Sequence, residues 1–80
     1  MSDPIAERVM AMLAERGPAK TLCPSEVARA LAGPGCDWRP CMGPVHDAVD
    51  GLLRRGAVAL SWQGEPLAKR AGPYRIGAPR

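Results

Sequence analysis

Phenylalanine is absent from this 80-residue chain, and its aromatic side chains amount to Trp38, Trp62 and Tyr74. The core must therefore be filled by Val, Leu, Ile, Met and Ala. A chain this short buries only about 60% of the surface its unfolded form exposes. Long apolar runs are missing too. Nothing approaches the roughly 18 residues that span a bilayer, and the start "MSDPIAERVM" lacks the basic beginning and apolar stretch of a secretory signal. The expected location is cytoplasmic, with no membrane partner. Cysteine is scarce and odd in number, at three residues, which argues against a secreted disulfide framework. One histidine, His46, leaves no Ser-His-Asp spacing, and no glycine-rich loop follows a strand to cradle phosphates. No enzymatic activity and no cofactor are expected.

Acidic residues are what the C-terminal segment lacks. Residues 1–56 carry seven basic and seven acidic side chains, whereas residues 57–80 set Lys69, Arg70, Arg75 and Arg80 against Glu65 alone. The whole net charge of +3 thus lies in that segment. A neutral body with a basic end suits an anionic partner, although solubility alone also accounts for a charge of this size.

Asp3 before Pro4 reads as a helix start, a capping carboxylate followed by a proline where no N–H is needed. Ile5, Val9, Met12 and Leu13 then recur at helical spacing until Gly17-Pro18 ends the run. "AKTL" is a short extended piece. Pro24 opens a second helix with Val27, Ala28, Ala30 and Leu31 on its buried side, and Gly33-Pro34-Gly35 stops it. Asp37 caps a single turn through Met42. A third helix is predicted to restart at Pro44 and run to Arg55, with Val45, Ala48, Val49, Leu52 and Leu53 on one face. After Gly56 the period becomes that of strands: "AVALSW", a turn at "QGEP", a basic connection "LAKRAG", then "PYRIG".

The pattern predicts a single α+β domain over residues 1–80, a winged helix-turn-helix. A three-helix body would occupy residues 3–56 and a β-hairpin wing residues 57–77, with "AKTL" adding a short strand beside the hairpin to complete a small antiparallel sheet. Trp38 and Trp62 are expected to pack as lids over a core that has no Phe.

The segments "CPSEVARAL", "DWR", "CM" ahead of "VHDAVDGLLRRGAV", and "WQGEPL" with "GPYRI" resemble a bacterial domain-of-unknown-function family of small winged-helix-like proteins. Its members carry a Cys-Pro-Ser-Glu-Val-Ala-Arg block, a Trp-Arg pair and a closing Gly-Pro-Ile-Arg-like strand. The resemblance covers Ile5 to Ile76. It implies the same fold and brings no established activity. Gly43-Pro44 departs from the pattern where the family runs into its third helix.

Cys23, Cys36, Cys41 and His46 supply four soft ligands at C-x12-C-x4-C-x4-H. These intervals are looser than the two to four residues that structural zinc sites use, so no metal is expected. Cys23 has the place of an N-cap, with Glu26 at capping-box spacing, and reads as structural. Asp47 and Asp50 read as acidic residues favouring the start of their helix.

The functional expectation is nucleic-acid binding by double-stranded DNA backbone contacts. Ser25 and Arg29 on the second helix, Arg39 beyond it, His46 on the outer face of the third helix, and Lys69, Arg70 and Arg75 on the wing are the candidate contacts. The competing expectation is a protein-interaction module of the same fold, favoured by the acidic start of the third helix and by Trp62 should it be exposed.

Overall fold

The computed structural model describes residues 3–17 and 19–79. Pro18, half of the first helix-ending pair, and Arg80 of the basic segment lie outside the described residues.

Helix α1 spans Pro4–Arg16, and Asp3 caps it by accepting from the N–H groups of Ile5 at 3.0 Å and Ala6 at 3.3 Å. Its inward stripe is Ala6, Val9 and Leu13. Helix α2 spans Pro24–Ala32. Glu26 turns back to accept from the Cys23 N–H at 3.1 Å, the return half of a capping box, while the Cys23 sulfur lies 3.1 Å from Ser25 Oγ.

The third helix starts earlier than its sequence predicts. A 3-10 turn over Arg39–Cys41 runs straight into α3, Met42–Arg54. Gly43-Pro44 falls inside the first turn of α3 and does not separate two elements. The reason is that the first four N–H groups of a helix have no intrahelical acceptor, so the missing donor of Pro44 removes nothing. The far end closes in a Schellman motif. Gly56, at φ +71°, donates to Leu53 O at 3.0 Å and Ala57 donates to Leu52 O at 2.9 Å.

The sheet has three antiparallel strands, β1 (Ala59–Trp62), β2 (Glu65–Leu67) and β3 (Arg75–Gly77), in the order β2-β1-β3. The predicted four-residue turn "QGEP" is only two residues long. Gln63 and Gly64 both take positive φ, 50° and 84°, the geometry of the hairpin turn whose twist suits flanking strands. Glu65 and Pro66 therefore pair with Trp62 and Ser61 as part of a strand. Pro66 is tolerated because β2 is an edge. Residues 57 and 58 and residues 73 and 74 lie outside the strands they were expected to join.

The expected contribution of "AKTL" comes down to one residue. Leu22 forms an isolated antiparallel bridge with Ile76, its N–H donating at 2.7 Å and its carbonyl accepting at 2.8 Å. The result is an α+β fold of three helices and a small antiparallel sheet, in the element order expected of a winged helix-turn-helix.

All three helices and the sheet share one core. Val9, Leu22, Val27, Val45, Val49, Leu52, Leu60 and Ile76 are each less than 2% exposed. Tyr74, at 3% exposed, is the aromatic member of this core. The lid expectation holds for Trp38, which is half-buried against the core edge, and fails for Trp62, which is 39% exposed at the end of β1. No helix among the described residues is long and apolar enough to cross a membrane.

Candidate nucleic-acid interface

The seven side chains singled out from the sequence fall into three clusters, with Lys69 apart. The first cluster stitches the start of α2 to β3. Arg75 Nε donates to Thr21 Oγ1 at 2.7 Å and its Nη2 to Thr21 O at 3.2 Å, with the same Nη2 4.0 Å from Glu26 Oε1. Arg16 joins from α1, pairing with Glu26 and donating to Thr21 O at 3.2 Å. Burial alone would raise the Glu26 carboxyl. The Cys23 N–H, Arg16 and Arg75 together outweigh that and hold it below its ordinary value. Arg75 is thus engaged inside the fold. Ser25 is half-buried beside Cys23.

The second cluster ties the wing to α3. Arg70 grips Asp50 with two bonds, Nε to Oδ1 and Nη2 to Oδ2, both 3.0 Å. That pairing holds the Asp50 carboxyl below its usual range. One helical turn earlier, His46 Nδ1 lies 2.7 Å from the Tyr74 hydroxyl, the two rings tilted at 54°. His46, expected on the outer face of α3, is half-buried under the wing together with Asp50, while Asp47, Arg54 and Arg55 are exposed.

The third cluster sits on the connection between α2 and α3. The guanidinium carbons of Arg29 and Arg39 lie over the Trp38 ring, 4.9 and 5.3 Å from its centroid. Asp37 Oδ1 accepts from the Arg39 N–H at 3.1 Å and from its Nη1 at 3.3 Å. Both arginines are exposed. Lys69 is exposed and makes no hydrogen bond or ion pair among the described residues.

The model of the family described as "Protein of unknown function (DUF3253)" matches residues 2–79. The chain belongs to this family. A comparison with curated proteins found no match. The DUF3253 match takes in every helix and strand described above, and with them all three clusters.

Several working residues of this DUF3253 chain escaped sequence reasoning. Thr21 holds both Arg16 and Arg75, Trp38 gathers two arginines, and Tyr74 and Asp50 take His46 and Arg70. One signal was present: His46 and Asp50 are four apart, hence on one helix face. Nothing local marks Thr21, whose partner Arg75 is 54 residues away. The three cysteines are free thiols, Cys36 exposed and Cys23 and Cys41 half-buried. Among the described residues no three His, Cys, Asp or Glu side chains come together as a metal-holding group.

The wing-helix cluster carries a pH prediction. Burial lowers the His46 pKa below 6.5 and Arg70 lowers it further, against the opposing pull of Asp50 and Asp47. Below pH 6.5 the unfolded chain takes up this proton before the native one, so stability declines as pH falls through that region and is intact above it. His46 is the only histidine, so its imidazole can be followed alone by NMR. Its midpoint is expected below 6.5, and Arg70→Gln should raise it by leaving Asp50 to face the ring without its counter-charge. A wild-type midpoint at or above 6.5 would contradict this.

Proposed function

We propose that this DUF3253 chain is a cytoplasmic winged-helix binding domain, not an enzyme. On this reading it holds double-stranded DNA through the phosphate backbone as a regulatory or accessory factor. The observation that carries this is the separation of the basic groups into two sets. Arg70 and Arg75 are tied to Asp50, Thr21 and Glu26, while Arg29 and Lys69 are exposed without a charged partner among the described residues and Arg39 shares only the exposed Asp37. These three candidate contacts, Arg29, Arg39 and Lys69, supply salt-sensitive affinity with no sequence information. The exposed start of α3 offers Gly43, Pro44 and Asp47. Of these only Asp47 has a side chain that can meet a base edge, as an acceptor from a cytosine amino group, and its charge repels the neighbouring phosphates, which favours backbone binding over direct readout.

Titration with a random duplex tests the proposal. Three phosphate contacts correspond to a slope of about −2.7 in log K against log salt, or about a 40-fold weakening between 50 and 200 mM. Lys69→Ala should bring the slope about one unit closer to zero. No binding at low salt would sink the DNA reading.

A second reading, a protein-interaction module, is favoured by Trp62. This side chain is 39% exposed beside the wing turn, and exposed tryptophan is a frequent anchor of protein interfaces.

A further inference from the structure

We infer that Arg29, Trp38 and Arg39 form a preorganised clamp on the DNA phosphate backbone at the connection between α2 and α3. This deepens the DNA-binding reading and rests on it. In a winged helix the expected grip is shared between the third helix and the wing. Here part of that grip is committed within the fold: Asp50 holds Arg70 by two bonds, with Asp47 exposed beside them, and His46 is turned to Tyr74. Lys69, Arg54 and Arg55 remain exposed there, and a further exposed pair of arginines lies over Trp38.

The geometry there is specific. Arg29 and Arg39 come from different elements, the last turn of α2 and the 3-10 turn, and converge on one indole at 4.9 and 5.3 Å. Their guanidiniums can be no farther apart than those two distances together. Trp38 is half-buried against the core edge and so fixed in place. Asp37 is the one acidic neighbour in contact. It takes the Arg39 N–H and Nη1, which orients that guanidinium and leaves its other N–H donors uncommitted. The Arg29 side chain makes no hydrogen bond or ion pair among the described residues, only the contact with the ring. A guanidinium held over an aromatic ring by its charge keeps N–H donors for a phosphate contact. Two forks already held lose less freedom on binding than two mobile arginines would.

Trp38 is a positioning residue in this scheme, and its role separates from that of the arginines by salt dependence. Arg29→Ala with Arg39→Ala removes two charges and should bring the salt slope about two units closer to zero. Trp38→Leu keeps both charges and should leave the slope unchanged while weakening binding about fivefold to tenfold at fixed salt. Trp38→Tyr should restore most of that loss, and circular dichroism with thermal melts establishes that each variant is folded. If Trp38→Leu does not fold, Trp38→Tyr and the double arginine variant decide the matter between them. Wild-type binding with a slope unaltered by the double variant overturns the clamp and leaves the DNA reading to Lys69. Wild-type affinity in folded Trp38→Leu overturns the positioning role. No wild-type binding to a random duplex at low salt overturns the DNA reading and the clamp together.

Discussion

Leu22→Ala is expected to destabilise the protein by about 2–5 kcal/mol, the range for truncating a fully buried leucine. Leu22 is 0% exposed and ties its loop to the sheet backbone through the paired bonds to Ile76. Its side chain and its backbone therefore act together, since the cavity left by truncation opens beside the bridge. Next to it, Thr21 receives Arg16 and Arg75, so a shift of this loop also loosens the junction of α1, α2 and β3. A chain of this length has a total stability of roughly 4–12 kcal/mol, and each kcal/mol moves the melting temperature by about 4–8 °C. A fall of about 10 °C or more in Tm, with a matching drop in the urea midpoint, is the expected result. A change under about 1 kcal/mol would show that the bridge and its side chain are not central to the fold.

Much of the fold is legible in the sequence because its punctuation is local. Asp3-Pro4, Pro24, Gly33 and Gly56 act on backbone groups within a few residues, and the helices begin or end where these residues stand. The two misread junctions share a physical cause. Pro44 marks the start of a new helix if it stands at the first position, yet the true start at Met42 puts it inside the first turn, where a proline is equally well tolerated. Glu65-Pro66 was taken as turn because proline is rare in strands. That rule relaxes at a sheet edge, and only the tertiary strand order makes β2 an edge.

The candidate site was less legible, for the same reason on a longer scale. The sequence identifies which residues are charged. It does not say which charges meet. Arg70 and Arg75 read as solvent-facing wing residues because their partners, Asp50 and Thr21, lie 20 and 54 positions away. Arg29 has acidic residues nearby in sequence, Glu26 and Asp37. The fold instead gives Glu26 to Arg16, Asp37 to Arg39, and Trp38 to both Arg29 and Arg39. Trp38 itself was seen only as a lid. A half-buried indole can serve the core with one edge and hold cations over its ring, and composition alone separates neither role from the other.

Tyr74 should make the protein sensitive to base in a narrow window. Burial at 3% exposure pushes its phenol from 10.0 up to about 12, with Arg70 drawing it down and Asp50 and Cys23 adding to the rise. The native state therefore holds this proton more tightly than the unfolded chain does. Stability from this group is intact below pH 10, falls as pH rises from 10 to about 12, and falls no further beyond. Two units of difference correspond to roughly 2–3 kcal/mol, a large share of the stability of a chain this size. Tyr74 is the only tyrosine, so tyrosinate absorbance reports it alone, and its midpoint in the folded protein should lie near 12. Tyr74→Phe should lose about 1 kcal/mol at neutral pH, where the hydrogen bond with His46 is missing, and should show a flatter stability profile between pH 10 and 12. The two curves are then expected to cross on the alkaline side, because the phenylalanine carries no proton for the unfolded chain to release. A tyrosinate midpoint near 10 while the protein is still folded would mean that Tyr74 is open to water and that the wing does not rest on α3 through it.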